Sequence, residues 1–156
     1  MRANERALAV VILAAGQGKR MKSGLVKVLH ELCGRPMLAY PIEIAEALAP
    51  ERLVVVVGRD SERVCEAFSG RATFVEQTER RGTGHAMMTT RAALDGFRGD
   101  MLILYGDTPL LRAETIERRR AEKIARGGDL LILSALGPLP GRAVREANGR
   151  DNRSVE

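Results

Sequence analysis

LAVVILAAGQGKRM, residues 8–21, decides the fold. Its first half is a short apolar run rich in β-branched residues, the composition of a strand buried on both faces. Its second half is a loop with two glycines and two cations, Gly16, Gly18, Lys19 and Arg20. We read a strand over 8–14 and a loop over 15–27. An abrupt change from buried strand to basic glycine loop is how a parallel α/β sheet presents a ligand loop at the carboxyl end of a strand.

Outward from this stretch the pattern alternates. Apolar residues at helical spacing (Met37, Tyr40, Ile44, Leu48) predict a helix over 36–48. Pro41 inside it predicts a kink or a late start. The run 53–57, ending at Gly58, predicts a second buried strand. Asp60 or Ser61 is then the expected cap of a helix through Phe68. A short strand follows at 73–76, a helix at 83–97 and another buried strand at 101–105, stopped by Gly106-Asp107. The last pair is a helix over 114–126, ended by Gly127-Gly128, and a strand over 129–135. Strands alternating with helices define βαβ units. The expected fold is α/β, three-layered and Rossmann-like, with a mostly parallel sheet.

The totals exclude several classes. At 156 residues the chain is expected to form a single domain, and no apolar run approaches the roughly 20 residues of a membrane span. The arginines at 2 and 6 precede an apolar stretch, but that stretch runs into a charged glycine loop, so we read no signal peptide and expect a cytoplasmic protein. The net charge is +5, yet aromatics are 3% and the densest basic run, Arg118 to Arg120, is interleaved with Glu114, Glu117 and Glu122. That is a solvated helix face rather than a nucleic-acid groove. Cys33 and Cys65 form neither a zinc spacing nor a disulfide framework, and both are expected to be buried, inert thiols.

Ligands of such sheets sit beyond the carboxyl ends of the strands, and the chemically distinctive residues gather there. Gly16 and Gly18 let backbone amides approach phosphate oxygens, while Lys19, Arg20, Lys22 and Lys27 can neutralise charge. No Gly-Lys-Ser/Thr follows, so the loop is not a Walker A motif, and it lacks the third glycine of the dinucleotide fingerprint. Asp107, at the end of an apolar strand, is placed either to bind Mg²⁺ carried by substrate phosphates or to serve a turn before Pro109. Gly82, Thr83 and Gly84 open a helix whose amides and hydroxyl can read a base edge or hold an anion. His85 reads as a packing residue at that helix start.

LAAGQGKRM, KVLHELCGRPML, QTERRGTGHAM and LYGDTPLL together resemble the uridylyltransferase (pyrophosphorylase) domain of the bifunctional N-acetylglucosamine-1-phosphate uridylyltransferases, the GlmU family. The first motif is shared with the wider MobA-like NTP transferases, and the combination is more specific. The resemblance runs from about residue 8 to the end. It implies that Leu13, Ala14, Ala15, Gly16 and Gly18 line the nucleotide site, with Arg20 and Lys27 as catalytic cations on the triphosphate. Gln77, Gly82 and Thr83 would read the uracil. Tyr105, Gly106, Gly141 and Glu156 would contact the substrate, and Asp107 would be a ligand of the cofactor Mg²⁺. The partners implied are UTP and a sugar 1-phosphate, with no nucleic acid and no membrane.

The sequence also departs from that family. Lys19 stands where Thr is usual and Val26 where Pro is usual, the latter removing a rigid residue ahead of Lys27. A Gly-Tyr-Gly-Arg segment is shortened to Gly141-Arg142, and the ending GRDNRSVE is more polar than a strand there should be. The family domain continues further, with more of the sugar pocket and a second metal ligand. The expectation is therefore an incomplete, C-terminally truncated nucleotidyltransferase domain that binds nucleotide more readily than it turns over. An open sheet edge would then favour homo-oligomers. No hexapeptide repeat is present, so no acetyltransferase β-helix is expected in these residues. The alternatives are a non-catalytic nucleotide-binding module and a molybdopterin cytidylyl- or guanylyltransferase-like enzyme.

Overall fold

The computed structural model describes residues 6–16, 18, 21, 23–58, 61–79 and 81–131, together with the backbone of 142–145 and 151–155. The chain divides into two compact units, residues 1–113 and 114–156.

The first unit is built on a four-stranded parallel sheet. Its strands are β1 (Leu8–Leu13), β4 (Arg52–Val57), β5 (Thr73–Glu76) and β6 (Asp100–Tyr105), in the spatial order β5-β4-β1-β6. β1 is central: Val11 pairs with Val54 on one side and Ile103 on the other. Val10, Val11, Ile12, Val55 and Val56 have no exposed surface, as an apolar run covered on both faces requires. Each such side chain contributes roughly 1.5–3 kcal/mol of transfer free energy. One face, through Val11, Val54 and Val56, packs against Ala86 and Met87 of α3 (Gly82–Thr89). α1 (Ala39–Ala47) also packs on β1 and buries Ala39, Ile42 and Ala45. Helices flanking a parallel sheet give the three layers expected.

Pro41 delays the first helix rather than kinking it. α1 begins at Ala39, not at residue 36, and Pro41 takes its third position, where an amide has no helical partner. The helix ends where Ala49 adopts a left-handed φ of 45° and donates its N–H to the Glu46 carbonyl at 2.9 Å. This is half of a Schellman ending, because Pro50 has no N–H for the outer bond. α2 (Glu62–Ala67) has Ser61 at its N-cap, but the Ser61 side chain makes no capping hydrogen bond. Asp60 lies outside the described residues.

The periodicity hid three features. Residues 31–36 form a hairpin, β2 (Glu31–Leu32) and β3 (Arg35–Pro36), ahead of the helix. Its two-residue turn has positive φ at Cys33 (51°) and Gly34 (74°), the type I′ geometry that matches strand twist. Cys33 is consequently exposed and Cys65 half-buried, so neither is the buried thiol that composition suggested. α3 stops at Thr89 instead of reaching residue 97. The hydroxyls of Thr89 and Thr90 donate to the Ala86 and Met87 carbonyls, each at 2.7 Å, and turns follow to Gly96 (φ 70°). Among the described residues β6 ends the sheet and is not buried on both faces: Leu104 is buried, but Met101, Ile103 and Tyr105, on the other face, are 44–50% exposed.

In the second unit α4 (Ala113–Ala125) carries Glu114 in its first turn and Lys123 in its last, the signs its dipole favours. Gly127 (φ 63°) and Gly128 donate to the Ile124 and Lys123 carbonyls at 3.1 and 3.0 Å, a complete Schellman ending. The strand expected over 129–135 is not formed at 129–131, and 132–135 lie outside the described residues. The polar C-terminal segment does contain strand: β7 (Arg142–Arg145) pairs antiparallel with β8 (Asp151–Val155), with an irregularity at Val144/Arg145. Backbone N–H and C=O groups make this pairing whatever the polarity of the side chains.

Candidate functional site

The chain leaves β1 toward β4 and β5 on one side and returns to β6 on the other. The crevice beyond the carboxyl ends of β1 and β6 is therefore the topological switch point, the usual ligand position in open parallel sheets.

Three hydrogen bonds bring the loops of this edge together. The Ala14 N–H donates to the Val56 carbonyl (2.8 Å), that of Gln77 to Val57 (2.7 Å), and that of Gly106 to Leu13 (2.9 Å). Thus Leu13, Ala14, Gln77, Tyr105 and Gly106, all singled out from sequence, leave the sheet at one level. Gly106 is needed for close packing. A β-carbon there would lie 3.1 Å from the Ala14 Cβ and 3.2 Å from a Val28 methyl. Ala15 packs into the α3 cluster with Ala86 and Met87, joining the end of β1 to the helix that Gly82 begins. Gly16 is exposed, with open space where a β-carbon would be.

Across the crevice Lys27 and Asp107, 80 residues apart, form an ion pair of 2.5 Å between Nζ and Oδ2. Lys27 starts a single 3₁₀ turn, 27–29, whose Val28 is buried and whose Val28 carbonyl accepts from the Leu38 N–H at 3.0 Å. The stem of Lys27 then passes Gly18 (φ 59°), where a β-carbon would stand 2.7 Å from the Lys27 Cβ. Gly18 is thus required twice, by its conformation and by the lysine lying across it. Both charges remain partly solvated, with 28% and 39% of their side-chain surfaces exposed. Such a pair contributes about 0–1 kcal/mol to stability. Its position, rather than its strength, is the notable property: an ammonium and a carboxylate held at the switch point.

Gln77 is buried, and its Nε2 lies 3.3 Å from the Gly82 carbonyl and 3.2 Å from the His85 Nδ1. Gly82 opens α3 with φ 86°, a value only glycine adopts readily, and Thr83 is exposed on the first turn. The role of His85 as the partner of Gln77 was not legible in the sequence, since eight residues separate them across a strand-to-helix turn. Arg20, Lys19, Gly141 and Glu156 lie outside the described residues. Clear pKa displacements occur away from this edge. The Arg71 guanidinium holds the Glu46 carboxyl below its usual range, and Arg119 does the same for Glu122.

The chemistry of the donor set fits a metal brought by substrate. Among the described residues no group of three His, Cys, Asp or Glu side chains could hold an ion. Asp107 is the acid of the ion pair at this edge, and Mg²⁺ is commonly held by one or two carboxylates completed by phosphates and water.

A parallel sheet with a lysine and an acid at its switch point is a ligand-binding fold of the α/β class. The chain belongs to the MobA-like NTP transferase domain family, which it matches over residues 10–140. It is 46% identical over 154 residues to the bifunctional protein GlmU of Geobacter metallireducens, covering 96% of this chain and 32% of that protein. It is 51% identical over 116 residues to that of Paramagnetospirillum magneticum, covering 74% and 26%. The chain thus spans about a quarter to a third of the length of these curated relatives. Among solved structures, Mycobacterium tuberculosis H37Rv Rv0371c superposes with a TM-score of 0.62 at 20% identity, covering 80% of this chain and 62% of that one. A nucleotidyl transferase from Methanothermobacter thermautotroptrophicus gives 0.60 at 24% identity, covering 74% and 57%. These two share the fold. No described helix is long and apolar enough to cross a membrane.

Proposed function

We propose that the chain acts as a uridylyltransferase, moving UMP from UTP to N-acetylglucosamine 1-phosphate and releasing pyrophosphate. The observation that carries this reading is the Lys27–Asp107 pair at the β1/β6 switch point, with Gly18 beneath it. The identity with GlmU proteins supports the choice of nucleotide and sugar.

In this reading an oxygen of the sugar phosphate attacks the α-phosphorus of UTP, and the bond to the β-phosphate oxygen breaks, so that pyrophosphate leaves with its electron pair. The chain's own groups position and neutralise. Amides beyond Ala14 would face phosphate, Lys27 would balance charge on the triphosphate, and Gln77 with the start of α3 would hold the base. Mg²⁺, held by Asp107 and the phosphates, would supply further charge neutralisation when bound. Lys27 and Asp107 pair with each other, and triphosphate and metal would each replace one half of that pair.

Pyrophosphate release tests the reading, with UTP, CTP and GTP compared in the presence of Mg²⁺ and N-acetylglucosamine 1-phosphate. Release above background with UTP, absent without the sugar phosphate, is the expected result. Preference for CTP or GTP would instead assign the molybdopterin-type chemistry of the wider family, and nucleotide binding with no release would assign a binding module.

A further inference from the structure

We propose that His85 is a positioning residue that fixes the amide of Gln77 and thereby makes the site select uracil over cytosine. The proposal rests on the nucleotide reading above and adds a residue which that reading leaves without a role.

The argument is one of donors and acceptors. The Gln77 Nε2 carries two protons and no acceptor. It lies 3.3 Å from the Gly82 carbonyl oxygen, which can only accept. That contact decides which end of the amide is nitrogen. The second proton points to the His85 Nδ1 at 3.2 Å, which must then be the unprotonated ring atom, with the ring proton on Nε2. Both donors of the amide are thereby used. Among the described residues Oε1 takes no hydrogen bond, so the atom left to a ligand is an acceptor.

An acceptor discriminates pyrimidines. Uracil carries a proton on N3, whereas cytosine presents a bare N3 lone pair. Oε1 would accept from the first and repel the second. If the amide were free to rotate by 180°, it would offer NH₂ instead, and the preference would fade. Gly82 and His85 hold it from two directions, and Gln77 is only 4% exposed, so it has little room to choose another orientation.

Two measurements on the full chain test this. The first is the affinity for UTP and for CTP, with Mg²⁺, of wild type, His85→Phe and His85→Asn. Asn places a carbonyl oxygen near the position of Nδ1 and keeps an acceptor, while Phe keeps bulk alone. His85→Phe is expected to lose about tenfold or more of the UTP-over-CTP preference, UTP binding weakening while CTP binding strengthens. His85→Asn is expected to retain most of it. A Phe variant that is folded and keeps the full preference overturns the proposal. The second is the tautomer of His85 in wild type, read from a long-range ¹⁵N–¹H spectrum in which His30 is the only other histidine. Protonated Nε2 with bare Nδ1 is expected, and a proton on Nδ1 overturns the proposal whether or not the Phe variant folds. A wild type that shows no preference for UTP, with the expected tautomer, would count against the uridylyl reading and leave the amide orientation standing.

Discussion

Lys27 shows how one side chain is placed by several local choices. The 3₁₀ turn supplies direction, buried Val28 anchors it, and Gly18 gives the stem a surface without a β-carbon in the way. Replacing Gly18 by Ala adds a methyl 2.7 Å from the Lys27 Cβ and requires a left-handed φ that costs roughly 1–2 kcal/mol in an alanine. The expected outcome is a modest loss of thermal stability with a tenfold or larger fall in UTP affinity, measured by calorimetry. Unchanged affinity would show that the lysine does not need its present path. At this scale the candidate residues were legible, because glycines, a lysine and an aspartate at strand ends have few other reasons to be there. The partners were not. Gly18 with Lys27, and Gln77 with His85, meet through turns whose dihedrals no residue pattern encodes.

At the scale of elements the strands were legible and the helix ends less so. The apolar runs were legible, and three of the four strands of the parallel sheet lie on them, β5 being the short Thr73–Glu76 segment. The ends of α1 and α3 depend on single hydrogen bonds, such as those of the Thr89 and Thr90 hydroxyls. The β2–β3 hairpin escaped notice because its turn uses Cys33 where Asn or Asp is usual. Ala49 is a similar exception, an alanine in the position where helices end on glycine. Ala49→Gly is expected to stabilise by about 0.5–1 kcal/mol, the relief of left-handed strain exceeding the added freedom of the unfolded chain. A rise in the urea midpoint at constant slope checks this. α1 is also tied to the turn before β5 by a two-pronged bond from Arg71 to Glu46, at 2.9 and 2.7 Å. That bond lowers the folded pKa of Glu46, so its contribution is present above the ordinary glutamate value of 4.5 and is lost as pH falls through the lower folded value. Solvent screening keeps it under about 1 kcal/mol. Glu46→Gln should therefore be slightly less stable than wild type at pH 7 and equal to it at pH 2, by urea unfolding. A difference that persists at pH 2 would assign the effect to packing instead.

At the scale of the molecule, strand order makes the site. Because the chain returns to β6 across β1, the two loops that carry Lys27 and Asp107 meet, and their side chains pair. The alternation of elements announced a parallel sheet, but the order β5-β4-β1-β6 could be read only from the fold. Among the described residues β6 ends that order, and its face with Met101, Ile103 and Tyr105 is exposed although its composition is apolar. The central claim is that this crevice binds UTP through Lys27 on one wall and Asp107 on the other. Titration calorimetry of UTP into wild type, Lys27→Ala and Asp107→Asn, each with and without Mg²⁺, tests it most directly. The account predicts Mg²⁺-dependent binding in wild type, weaker binding in Lys27→Ala under both conditions, and an Asp107→Asn variant that has lost the Mg²⁺ dependence. UTP bound equally tightly by all three proteins, with or without Mg²⁺, would contradict it.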